Sequence, residues 1–193
     1  PSRREALAVV AHDRSLSWDQ LDQESEQIAC WLQAQGVQPG QIVAIAAARC
    51  AGLLPAVLGV MKAGAAFTLL DPAYPAAHLA AVIAITQPAA WLQVAPVSAD
   101  SPAPAVASWL NLSQPLSQPL LQALSQGGCP ALLPFAGQRA RVHPVGPADL
   151  ALLSFTSGSS GVPKAVEGVH GALTHFFPWV AQQFGLSSQD RFA

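Results

Sequence analysis

Apolar residues fall along this chain in two kinds of pattern, which divide it into helices and strands. Trp18, Leu21, Ile28, Trp31 and Leu32 recur at helical spacing after the polar stretch His12-Asp13-Arg14, predicting an amphipathic helix that ends near Gln35-Gly36. Acids gather in its first turns, at Asp19, Asp22, Glu24 and Glu26, where the positive end of the helix dipole favours them. Gly36 suits the left-handed residue that closes a helix, and Pro39-Gly40 adds a turn. Four further runs are apolar without alternation: Ile42 to Ala47, Ala66 to Leu70, Trp91 to Val94 and Leu150 to Phe155. A parallel strand covered by helices requires that pattern. Helical stretches over Ala51 to Lys62, stopped at Gly64, and Ala76 to Thr86, stopped before Pro88, lie between the first three. Strand, helix and strand within about 30 residues make a right-handed crossover unit. The expected fold is therefore α/β, a largely parallel sheet flanked by helices.

Two stretches depart from this rhythm. Leu7 to Ala11 is a short apolar run ahead of the first helix. From Pro96 to Pro147 prolines, serines and glutamines abound, and Ser113 to Gln118 nearly repeats a Ser-Gln-Pro-Leu unit. That texture predicts an irregular connection over about 96–147, with at most one helix around Leu116 to Leu124.

Composition narrows the function classes. The 193 residues suit one domain or a piece of a larger one. Hydrophobic residues make up 51% and charged residues 10%, where about a quarter is usual, so some of the surface is expected to be covered by further protein. Nine Lys and Arg, scattered from Arg3 to Arg191 against a net charge of -2, form no basic stripe, which argues against nucleic acid as a partner. Arg49, Pro55 and Lys62 interrupt the apolar stretch from Ile42 to Leu70, leaving no uncharged span of the roughly 20 residues that a bilayer demands. No apolar segment of signal-peptide type follows the arginines at the N-terminus, so a cytoplasmic protein is expected. Cys30, Cys50 and Cys129 lack any C-x-x-C spacing and read as buried, reduced thiols.

The chemistry lies between Leu150 and Val169. There the apolar run Ala-Leu-Leu-Ser-Phe opens into Thr156, Ser157, Gly158, Ser159, Ser160 and Gly161, with Lys164 three residues on. Glycines let backbone N–H groups turn toward an anion, and hydroxyls add donors that carry no competing charge. Lys164 supplies a point positive charge. Such a set suits a polyphosphate. A flexible Ser/Gly linker has similar composition, but a linker needs no lysine beside a rigid proline, and this loop is embedded between an apolar strand and Val162 to Val166. A Walker loop needs lysine directly after its last glycine and then Ser or Thr, whereas here Val162 and Pro163 intervene and Ala165 follows. His170 and His175 are five apart on an expected helix, the wrong spacing for a metal pair on one face, and no metal site is expected. Phe176, Phe177, Trp179 and Phe184 read as core.

TSGSSGVPK, Thr156 to Lys164, resembles the phosphate loop of the adenylate-forming superfamily of acyl-CoA synthetases, luciferases and peptide synthetase adenylation domains. Ala165 stands where the family has glycine, and the downstream His-x-x-Leu is present as His170 to Leu173. Leu16 to Leu21, Gly36 to Ile45 and Met61 to Pro75 resemble earlier family motifs in the family's order. The ending Asp71-Pro72-Ala73-Tyr74-Pro75 is more like peptide synthetase adenylation domains than acyl-CoA synthetases, with His78 where the former commonly carry arginine. His175 to Phe192 is similar to the aminoadipate-reductase branch.

The resemblance implies that residues 1–193 are the N-terminal portion of an adenylation core domain. It further implies a two-step reaction: ATP and Mg²⁺ activate an amino acid or related carboxylic acid as acyl-AMP, and the phosphopantetheine thiol of a carrier protein then takes the acyl group. Thr156, Ser157, Gly158, Ser159, Ser160, Gly161 and Lys164 would grip the leaving pyrophosphate. The carboxylate pocket, the adenine and ribose contacts and the adenylation lysine would lie beyond Ala193, so the chain alone is expected to be inactive. The rival readings are an adenylation-like scaffold without turnover and a fragment of an acyl-CoA ligase.

Overall fold

The computed structural model describes residues 4–94, 120–122, 132–157, 163–188 and 190–191. A short antiparallel pair, β1 (Leu7–Val10) and β2 (Ser15–Ser17), leads into α1 (Trp18–Ala34). Then come β3 (Ile42–Ala47), α2 (Leu53–Lys62), β4 (Ala66–Leu70), α3 (Ala76–Thr86) and β5 (Ala90–Val94). The strand β6 (Leu120–Gln122), a 3₁₀ turn at Leu133–Phe135, the strands β7 (Leu150–Ser157) and β8 (Pro163–Val169), and α4 (His170–Gln183) complete the described chain.

The start of α1 is fixed by a reciprocal cap that the expected pattern did not include. The Ser17 hydroxyl accepts from the Gln20 N–H at 3.2 Å, and the Gln20 side chain accepts from the Ser17 N–H at 2.8 Å. At the far end Gly36 takes φ of 86°, the left-handed conformation a helix stop requires.

Six strands form one sheet in the order β6-β5-β3-β4-β7-β8. The first five are parallel and β8 runs antiparallel to β7. From β3 the chain steps to β4 and then back across β3 to β5, so right-handed crossovers place α2 and α3 on opposite faces. The side chains of β3 divide accordingly. Val43 and Ile45 pack under α1 and α2 with Ile28, Leu32 and Val60, whereas Ala44 and Ala46 pack with Leu79 and Val82 of α3 and with Trp91. Two-sided burial is why IVAIAA shows no alternation.

Residues 132–141 strap the outer face of α1. Leu132 is buried in the larger core, Ala140 donates its N–H to Glu26 at 2.9 Å, and Gln33 exchanges two hydrogen bonds with the Arg141 backbone at 2.8 and 2.9 Å. Lys62 closes ion pairs with Asp22 at 2.6 Å and Glu26 at 3.0 Å, and Arg139 joins Asp22 at 2.9 Å.

Several expectations are corrected. Leu120–Gln122 is a parallel strand beside β5, where an irregular connection with at most one helix around Leu116 to Leu124 was expected; the rest of that stretch lies outside the described residues. A triplet as short as Leu-Leu-Gln serves as an edge strand as readily as a helix turn, and pairing with β5 decides it. Asp22, Glu24 and Glu26 are ion-paired rather than placed for the dipole alone, and Lys62 is held between two carboxylates rather than simply solvated. Trp18 stands apart from the buried stripe of α1 and is 53% exposed. The aromatic residues of α4, expected in the core, are exposed.

Candidate functional site

The sheet opens where β4 and β7 part. Their ladder comprises only Phe67↔Leu152 and Thr68↔Leu153, although β4 pairs with β3 over its full length. Beyond Thr68 a cleft of about 490 Å³ appears, walled by Leu69 and Leu70 of β4, Leu79 and Val82 of α3, and Ser154, Phe155 and Thr156 of β7. Asp71, Tyr74 and His78 stand at its polar side. The cleft lies beside the strands from which helices leave to opposite faces, at the carboxyl ends where open α/β sheets hold ligands.

Strand β7 runs through Ser157, two residues past the expected Phe155, and pairs with β8 as far as Ser157↔Pro163. Thr156, Ser157 and Lys164, expected in the loop, are strand residues at the two roots of this hairpin. Its tip is residues 158–162, so Gly158, Ser159, Ser160 and Gly161 lie outside the described residues. Thr156 and Lys164 are directly paired, and directly paired antiparallel residues project from the same face. Both are exposed, and Lys164 has no ion pair among the described residues. Glu167, opposite Leu153, projects from the other face, away from Lys164.

Three polar residues at the cleft, Asp71, Tyr74 and His78, were not singled out as site residues. The Asp71 carboxylate accepts from the Ala73 N–H at 2.9 Å, and the Asp71 carbonyl accepts from the Tyr74 N–H at 3.0 Å. This turn brings the Tyr74 ring onto His78, four residues on, with centroids 5.1 Å apart at 30°. The Asp-Pro-x-Tyr-Pro turn chemistry was the available signal.

A helix N-terminus is often the anion site after a strand and glycine loop, but α4 does not play that part. Its His170 and Gly171 N–H groups donate to the Asp149 and Pro147 carbonyls at 3.0 and 2.8 Å. The seven residues of β8 also separate α4 from the hairpin root at Pro163 by roughly 20 Å. Among the described residues no group of three or more His, Cys, Asp and Glu side chains is arranged for a metal. The hydroxyl and ammonium donors here fit phosphate oxygens, and a Mg²⁺ ion carried on those oxygens would need few protein ligands. Cys30 and Cys50 are buried free thiols, and burial raises both above the ordinary thiol range, away from the reactive thiolate. Cys129 lies outside the described residues. No helix among the described residues is long and apolar enough to cross a membrane.

The described residues thus form a largely parallel α/β sheet with a hairpin at its last two strands. The family described as AMP-binding enzyme matches residues 2–193, and the chain belongs to it, within the adenylate-forming superfamily. The chain is 36% identical to the L-2-aminoadipate reductase large subunit of Eremothecium gossypii, over 93% of this chain and 14% of that protein. It is 31% identical to a dimodular nonribosomal peptide synthase of Bacillus subtilis, over 97% of this chain and 8% of that protein. Among solved structures, VinN in complex with 3-methylaspartate superposes with a TM-score of 0.78 at 24% identity, covering 98% of this chain and 50% of that one. The chain thus spans a small part of its sequence relatives and half of a structural one.

Proposed function

We propose that this chain is the pyrophosphate-holding part of an adenylation domain that activates an amino acid or related carboxylic acid with ATP. A carboxylate oxygen attacks the α-phosphorus, the bond to the β-phosphate bridging oxygen breaks, and acyl-AMP and pyrophosphate result. The leaving group carries several negative charges, so donors fixed around it stabilise the transition state electrostatically. Thr156, Ser157, Ser159, Ser160 and the Gly158 and Gly161 amides take that role, with Lys164 as the positive charge. Mg²⁺, bound on the phosphates, would supply further neutralisation. The acyl group then passes to the phosphopantetheine thiol of a carrier protein, in a cytoplasmic setting.

The observation that carries this reading is the hairpin, whose roots set Thr156 and Lys164, unpaired among the described residues, on one face at the carboxyl edge of the sheet. Hydrogen bonds to charged groups contribute about 1.5–3 kcal/mol, so Lys164→Ala in the full-length parent should slow adenylation by roughly 10 to 150-fold. Ser159→Ala should slow it in the same sense. Rates measured for one good and two poor carboxylates should fall together. A change in the ratio among carboxylates larger than the common loss would assign the loop to substrate selection instead.

The likeness to aminoadipate reductases supports a second reading of the parent, in which the activated amino acid is a dicarboxylic one and leaves the carrier by reduction. Product analysis separates the two readings: an aldehyde supports the reductase reading, whereas condensation of the carrier-bound acyl group with an amine supports the synthetase.

A further inference from the structure

The split between β4 and β7 is built into the sheet. Beyond Thr68 and Leu153 no ladder joins the two strands, yet β3 holds β4 through Leu70 and β8 holds β7 through Ser157. Pairing on the outer side of each strand therefore keeps the cleft open. Its volume of about 490 Å³ falls within the roughly 300–1,000 Å³ of small-molecule sites. Buried Leu70, Leu79 and Val82 make part of its wall apolar, and a hydrogen bond formed against such a wall is stronger than one in open water.

Polar groups reach this cleft from both sides. Thr156 arrives on β7, and His78 arrives on the first turn of α3. His78 is half-buried, its ring stacks on Tyr74, and its imidazole makes no hydrogen bond or ion pair among the described residues. Stacking occupies a face of the ring and leaves both in-plane nitrogens available. One of them donates in the neutral ring and both donate in the charged ring.

We propose that, granted the hairpin reading above, His78 is a second anchor for the leaving pyrophosphate, donating an imidazole N–H to a phosphate oxygen across the cleft from Thr156. Thr156 connects the two places, since it pairs with Lys164 at the hairpin root and lines the cleft together with His78. The donors favour an anion with many oxygens over the organic acid. Asp71, the acid that lines the cleft, has its carboxylate engaged by the Ala73 N–H at 2.9 Å, which leaves no unengaged carboxylate there for the amino group of an amino acid. A packing role for the ring would need only the contact with Tyr74, which phenylalanine would supply equally well.

Pyrophosphate exchange by variants of the full-length parent separates donor from packing. His78→Phe keeps a ring against Tyr74 and removes both nitrogens. It should raise the KM for pyrophosphate about 10-fold, the lower end for a lost hydrogen bond to a charged group, and leave the KM for the carboxylate unchanged. His78→Gln retains a donor and should stay within about three-fold of the parent protein. An unchanged pyrophosphate KM in His78→Phe, with a raised one in Lys164→Ala, would overturn the proposal and leave the hairpin reading standing. An unchanged pyrophosphate KM in both variants would overturn both. Equal losses in His78→Phe and His78→Gln, or a rise in the carboxylate KM as large as that for pyrophosphate, would also overturn the proposal, because the ring would then be shaping the cleft and not holding the anion.

Discussion

Close approach at single residues fixes how the helices sit on the sheet. A Cβ added to Gly59 in α2 would lie 2.6 and 2.7 Å from the Ile28 side chain and 3.0 Å from the Ser25 carbonyl. Alanine is ordinarily favoured over glycine inside a helix by about 1 kcal/mol, whereas overpacking costs about 1–3 kcal/mol and here meets backbone as well as a side chain. The clash wins, so Gly59→Ala should destabilise the fold by about 1–2 kcal/mol in urea unfolding. A stability equal to or above that of the parent sequence would mean that α1 and α2 are not in this contact. Gly168→Ala should disturb the site more directly, since its Cβ would stand 2.8 Å from Leu152 at the paired position between β7 and β8. The expected outcome is slowed adenylation in the full-length parent, with folding retained by circular dichroism.

Ion pairs tie together the elements that share one face of the sheet. The strap and α2 are tied to α1 through Lys62 and Arg139, and the carboxylates they meet respond. Asp22 is held below its usual range chiefly by the hydrogen bond from Lys62. For Glu26 burial pushes upward, but hydrogen bonds from the Ala140 N–H and Lys62 help to outweigh it, and the net shift is also downward. A lowered pKa means that the folded state binds fewer protons than the unfolded state. Stability from this source is therefore present above the unfolded carboxylate range, near pH 4, and is lost as the pH falls through the lower folded values. Lys62→Met should lower stability by about 1 kcal/mol at pH 7, a figure discounted for the partial exposure of the pairs, and should flatten the acid limb of the stability profile. An unchanged acid limb would show that these pairs do not form in solution.

Most of these elements were legible as sequence. Strands β3 and β4 and helix α3 fall where the apolar runs and their stops put them, because burial on both faces leaves an unbroken apolar signature. The edge strand Leu120–Gln122 was not legible, since three residues carry no period and their conformation depends on β5. The α4 aromatics were misread for a related reason. Hydrophobicity reports that a residue seeks cover, and it does not report whether cover lies within these 193 residues. At the site, the residue types were legible from composition and resemblance, but the pairing of Thr156 with Lys164 came only with the register of the hairpin.

At the scale of the whole molecule, the sheet closes on the hairpin β7–β8, to which the proposed function assigns the pyrophosphate. On the proposed function, the carboxylate pocket would be supplied by the remainder of the parent. Residues 1–193 alone should therefore show no carboxylate-dependent ATP–pyrophosphate exchange above a denatured control, across a broad panel of amino and keto acids. The most direct test of the central claim uses the same exchange reaction in the full-length parent, where pyrophosphate must bind and attack acyl-AMP in the reverse direction. Lys164→Ala should raise the KM for pyrophosphate, lower the exchange rate by roughly 10 to 150-fold, and leave the KM for the carboxylate unchanged. An unchanged pyrophosphate KM together with a raised carboxylate KM would contradict the account, because Lys164 would then be reading the acid and not the leaving group.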